Sequence, residues 1–160
     1  MITPEYLRQM ASYNRWQNER LYALCADLSD EERKRDRGMF FRSIHATLEH
    51  ILYIDRVILK MVRTGQPTEL AFGRPLLADF VVPRREREQL DAEFARFASE
   101  HPAAWLGEKA NPDFRFSRGF QLTQMFNHQT HHRGQVTSEL HKLGVDYGRT
   151  DLPYNPYLQL

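Results

Sequence analysis

Apolar residues recur at spacings of three and four in four separate stretches of this chain, the pattern of amphipathic helices rather than strands. The first stretch covers residues 4–28, with Leu7, Met10, Leu21, Leu24, Cys25 and Leu28 as its stripe. Thr3 is placed to cap it and Pro4 suits its first turn. The second covers 44–63, capped by Ser43 and stopped by Gly65 and Pro67. Its stripe of Ile44, Leu48, Ile51, Leu52, Ile58, Leu59 and Val62 is widened on one side by Ile54, Val57 and Met61. Pro83 opens a third, 84–99, with Leu90, Phe94 and Phe97 inward. The fourth, 119–143, carries Leu122, Met125, Phe126, Val136, Leu140 and Leu143, and Gly144 ends it as a C-cap. Ser29 followed by Asp30, Glu31 and Glu32 predicts a short extra helix. Residues 64–82 read as loop, punctuated by Gly65, Pro67, Gly73 and Pro75, with Leu76, Leu77 and Ala78 too short to assign. Residues 103–118 read as irregular, with Phe114, Arg115 and Phe116 as a short extended piece, and 145–160 as an extended arm. The sum is an all-α fold: a single domain over 1–160, built as an antiparallel four-helix bundle with a short extra helix and a C-terminal tail.

Polar residues inside the stripes are the informative exceptions. Asn14 and Asn18 fall in the middle of the first stripe, either as satisfied structural amides or as the lining of a polar site. Asp55 and Arg133 sit near the centres of theirs, where a charge is costly unless paired. The reading is that Asp55 pairs with Arg133 or accepts from Asn14 or Asn18, unless helix rotation carries either charge to an edge. Trp16 points away from its stripe and suggests a second surface, a subunit contact. The run Arg33 to Arg37 and the alternating charges of Arg84 to Glu88 read as solvated faces.

Three of the seven histidines fall within five residues of the last helix. His128 and His132, four apart, stack one turn above the other on a shoulder of the stripe, while His131 points to the opposite face. Two imidazoles so spaced can share a transition metal, but they are also ordinary helix residues. On the second helix His50 lies among Ile54, Val57 and Met61 and looks inward. Alone it reads as a core histidine bonded to a carbonyl or carboxylate. His45 is placed at the polar boundary near Arg56 and Arg63. Gln129 stands where a zinc protease would carry a glutamate base, which argues against that chemistry. Glu49 lies about 100° around its helix from His50 and is poorly placed as a base.

Charge changes the picture mainly by exclusion. Twenty-two basic and 21 acidic side chains leave no net field for nucleic acid or an anionic membrane. Cys25 is the only cysteine, so no intrachain disulfide forms, and no apolar run approaches the roughly 20 residues that cross a bilayer. With no signal-like N-terminal pattern, the expectation is a soluble, cytoplasmic protein.

Three motifs together carry a resemblance. They are Tyr13-Asn14-Arg15-Trp16-Gln17-Asn18-Glu19-Arg20-Leu21, then Thr47-Leu48-Glu49-His50-Ile51-Leu52 with Asp55, then Asn127-His128-Gln129-Thr130-His131-His132-Arg133-Gly134-Gln135. In this order they resemble the DinB/YfiT-like family of metal-binding helical bundles. The resemblance implies an up-down-down-up bundle, a homodimer, and a divalent metal, nickel or zinc, held by His50, His128 and His132. It implies no DNA binding. Related proteins include thiol-dependent transferases and maleylpyruvate isomerases. A three-histidine site leaves a coordination position open, where a water or a low-molecular-weight thiol can be activated. Three readings follow: transfer of that thiol or water to a small electrophilic substrate, hydrolysis of a small molecule, or a non-catalytic, metal-stabilised bundle that binds a ligand in a stress response. A polar pocket at the open position favours the first two; an apolar seal or a fourth protein ligand favours the third.

Overall fold

The computed structural model describes residues 2–69 and 77–158. Gly73, Pro75 and Leu76 of the expected loop, and the last two residues of the tail, lie outside them. The described residues form six helices, four of them long, and no strand. Helix α1 is Pro4–Asp27, α2 Asp30–Lys34, α3 Ile44–Thr64, α4 Val81–Glu100, α5 Ala103–Gly107 and α6 Arg118–Lys142, followed by a 3-10 turn at Leu152–Tyr154. None is long and apolar enough to cross a membrane.

Local chemistry sets the ends. Thr3, Ser29, Ser43 and Ser117 each accept a backbone N–H of the following turn through their hydroxyl oxygen. Gly65 stops α3 in the left-handed region, φ 66°, with its N–H on the Met61 carbonyl. A Cβ there would also lie 2.3 Å from the Ala110 carbonyl oxygen, so the position admits only glycine. The C-terminus of α1 has no basic residue in its own last turn. Arg33 of α2 supplies one, its Nη1 donating to the Cys25, Ala26 and Leu28 carbonyls. The basic run therefore is not a solvated face throughout: Arg33 is buried, recruited by orphaned carbonyls that composition cannot reveal. Arg115 and Phe116 form a bend, so residues 114–116 make no strand, and α5 occupies part of the segment expected to be irregular.

Helix α1 packs chiefly on α4 and α3 chiefly on α6, with further contacts between α3 and α4 and between α1 and α6. Two apolar clusters result. One gathers Leu7, Leu52, Phe94, Phe97, Leu122 and Phe126; the other Leu21, Tyr22, Ile44, Leu48, Phe80 and Leu140. All four long helices also contribute to a buried polar layer. Arg87 Nη1 donates to Asp55 Oδ2 at 2.5 Å and Nη2 to Asp91 Oδ1 at 2.7 Å. Asn18 Nδ2 donates to both oxygens of Asp91. Arg133 Nη1 donates to Gln129 Oε1 at 2.7 Å and to Asn18 Oδ1 at 3.4 Å. Burial pushes Asp55 up to about 6, against the opposing pull of Arg87, and brings Arg133 down to about 10.

This layer corrects two expectations. Asp55 and Arg133 are both buried, but Asp55 pairs with Arg87 and Arg133 takes amide oxygens. The alternating charges of residues 84–88 read as an exposed face, and Arg84, Arg85 and Glu88 are exposed, whereas Arg87 turns inward to two carboxylates. Two further positions differ. Trp16 is only 8% exposed and belongs to the first cluster, so it offers no free surface. The tail lies across the same stretch of α1: Tyr13 Oη donates to the Thr150 carbonyl, Arg20 to the carbonyls of Tyr147 and Arg149, and Asn155 Nδ2 to Ser12 Oγ. His45 is fully buried rather than at a polar boundary, its ring against Phe80 and its Nε2 3.0 Å from Glu49 Oε1.

Replacing Arg87 by Met should strand two buried carboxylates and cost about 3–5 kcal/mol in urea melts at neutral pH. The deficit should shrink as pH falls and protonation removes those charges. Arg56→Met, which breaks the half-exposed pair with Glu86, should cost about 0–1 kcal/mol.

Candidate metal centre

The packing of α3 on α6 brings His50 against two residues one turn apart on α6, His128 and His132. One nitrogen from each lies within 4.8 Å of the others, and among the described residues this histidine group has no cysteine or carboxylate member. His50 Nε2 and His128 Nε2 are 2.9 Å apart. At that distance two imidazole nitrogens share either a proton or a cation, since two lone pairs would repel. The three rings face one another with centroids 4.5–4.9 Å apart.

The surroundings prepare these rings. His132 Nδ1 lies 2.7 Å from Gln135 Oε1, and an amide oxygen can only accept. The proton therefore resides on Nδ1, and Nε2 keeps its lone pair for the cluster, the orienting role that an outer partner plays at metal histidines. Phe41 stacks on His50 with centroids 3.9 Å apart and is tilted over His132 at 5.4 Å. It is held there by a tight turn in which Gly38 and Arg42 both have positive φ, 69° and 68°. Arg42 is the one non-glycine residue among those described in this region, a backbone conformation costing about 1–2 kcal/mol. The Arg42 side chain is tied to Asp36 at 3.0 Å.

Desolvation pulls His50 and His128 down to about 4, reinforced by the neighbouring imidazoles, and lowers His132 against the opposing effect of Gln135. Three neutral imidazoles are the protonation state in which nitrogen ligates a metal. The donor set therefore fits a divalent metal ion.

In front of the histidines lies a cavity of about 960 Å³. Phe41, Ile54, Val57, Ile58 and Met61 line one part of it, and Phe114, Phe116 and Phe120 another, with Thr68, Asp113, Arg115, Gln121, Gln124 and Gln135 as its polar groups besides the histidines. The site is thus neither sealed nor strongly polar.

His131 is exposed, with its Nε2 near Gln135. Glu49 accepts from the Leu77 N–H as well as contacting His45, so it is committed away from the histidine group. Asn14 and Asn18 are buried; Asn18 joins the polar layer and neither belongs to the histidine cluster. Two residues gain roles that sequence reasoning did not assign. Gln135 could have been found, since it lies three residues after His132 on the same helical face. Phe41 gave no signal, because the turn that aims it has no periodicity.

Compared with known sequence families, residues 1–159 match the DinB family, and the chain belongs to it. No curated protein matches the chain.

A histidine that titrates lower when folded makes the folded state resist protonation while the unfolded chain accepts it. Metal-free protein should therefore lose stability as pH falls from about 6.5 toward 4. Asp55, raised to about 6, acts in the opposite direction. The readout is consequently the difference in urea midpoint between the wild type and His50→Gln/His128→Gln, whose acid loss should be smaller.

Proposed function

We propose that this DinB-family protein is a metal-dependent enzyme that activates a low-molecular-weight thiol, or water, at His50, His128 and His132 and transfers it to a small electrophilic substrate. The observation that carries the reading is that the three-histidine group opens on a large cavity, where Gln121, Gln124 and Gln135 stand among apolar walls, instead of being sealed or closed by a fourth ligand among the described residues. A divalent ion held by these imidazoles would supply a Lewis-acid centre that lowers the pKa of a bound thiol or water. Transfer of a thiol then forms a sulfur–carbon bond as the bond from carbon to its leaving group breaks, with the thiol proton passing to solvent. Gln135 fixes the His132 tautomer, Phe41 shields the His50 ring, and the apolar walls keep water from the electrophile.

Hydrolysis is the second reading. Against it, Asp113 is the one carboxylate among the described residues on the cavity wall, and no carboxylate belongs to the histidine group. A water nucleophile would lack an adjacent base of the kind such sites use.

The same reading includes an up-down-down-up bundle. It is supported by the pairings Tyr22 with Phe80 and Asn18 with Asp91, Asp55 with Arg87 and Arg63 with Glu93, and Val62 with Arg118 and His50 with His128. It also includes a homodimer, which light scattering should report as twice the 19.0 kDa chain mass.

Metal analysis followed by a thiol-plus-electrophile screen tests the function. One divalent ion per chain is expected in the wild type and in His131→Ala, and a near-complete loss in His132→Ala. Consumption of thiol should require the metal and stop with a chelator. Metal retained in His132→Ala but lost in His131→Ala would reject the assignment.

A further inference from the structure

The cavity wall beyond α3 carries a second set of chemistry. Phe116 and Phe120 stack with centroids 4.1 Å apart and an interplanar angle of 14°, yet remain 39% and 52% exposed. A stacked pair left this open offers a flat surface for another ring. Arg115 lies over the Phe116 ring at 5.0 Å and lines the same cavity. Among the described residues no carboxylate pairs with it, although Asp113 stands on the same wall. From α3 the cavity receives only aliphatic and thioether side chains apart from His50.

We propose that this cavity takes a flat, largely apolar small molecule bearing one acidic group. The apolar body packs between the α3 side chains and the Phe116–Phe120 pair, and the anion meets Arg115. The division of labour follows from the exposures. Removing a ring system from water is the main source of affinity. A pair between an anion and an exposed guanidinium adds little binding but selects for charge and geometry. As a statement about turnover, this names the substrate class of the proposed transfer reaction and rests on that reading; as a statement about binding, it does not.

The test is a fluorescence titration of the full-length protein, metal-free and metal-loaded, with two probes. One is 8-anilinonaphthalene-1-sulfonate, a ring body with an acid; the other is N-phenyl-1-naphthylamine, the same body without one. One site per chain is expected for each. Phe120→Ser should weaken both probes, whereas Arg115→Gln should weaken the sulfonate by about fivefold and leave the neutral amine within about twofold. Both replaced side chains are exposed, so a cooperative urea melt should persist in each variant. Equal effects of Arg115→Gln on the two probes, or no effect of Phe120→Ser on either, would overturn the inference. Since binding needs neither metal nor thiol, intact discrimination without turnover would instead count against the proposed reaction.

Discussion

Arg87 holds the centre of this protein. Its guanidinium bridges Asp55 on α3 and Asp91 on its own helix, and Asp91 in turn takes the amide of Asn18 on α1. Through Asn18 the chain of bonds reaches Arg133 on α6. All four long helices therefore meet in one layer with almost no access to water. Such a layer is a poor source of net stability, because removing charges from water costs about what their attraction returns. Its effect is on register. Sliding α3 against α4 by a turn would leave Asp55 buried without Arg87, a penalty that apolar packing above and below does not impose.

The register matters to the histidines because the two sets share the same turns. Gln129 and Arg133 follow His128 and His132 directly, about 100° around α6, and Asp55 lies five residues beyond His50 on α3. Fixing the polar layer on one face of these helices places the imidazoles on the next. There the environment changes from charged and sealed to neutral and open. The rings lose protons easily, the cavity walls are apolar, and Phe41 reaches them from a strained turn that a simpler loop would not need. One pair of helices thus carries a buried polar network beside a donor set facing a cavity, the arrangement in which a reactive site is built on a stiff frame.

Periodicity and capping chemistry by themselves determined the helical class, the four long helices, the short one after Ser29, and the caps at Thr3, Ser43 and Gly65. They also determined that His50, His128 and His132 look inward while His131 does not, and that Asp55 and Arg133 are buried. These are properties of a single helix about its own axis, and a spacing of 3.6 residues per turn encodes them locally. The tertiary structure alone decided which side chain answers which. Asp55 found Arg87 rather than Arg133, because α4 approaches α3 with the one charged residue of its first turns that faces inward. Arg33 turned to the end of α1, Trp16 joined the core where the tail crosses α1, and Phe80 closed over His45. The cavity belongs to this second kind of information as well. Its walls come from α3, from α6 and from irregular segments around Phe41 and Phe114 whose side chains are aimed by backbone turns, and such directions exist only once the helices have packed.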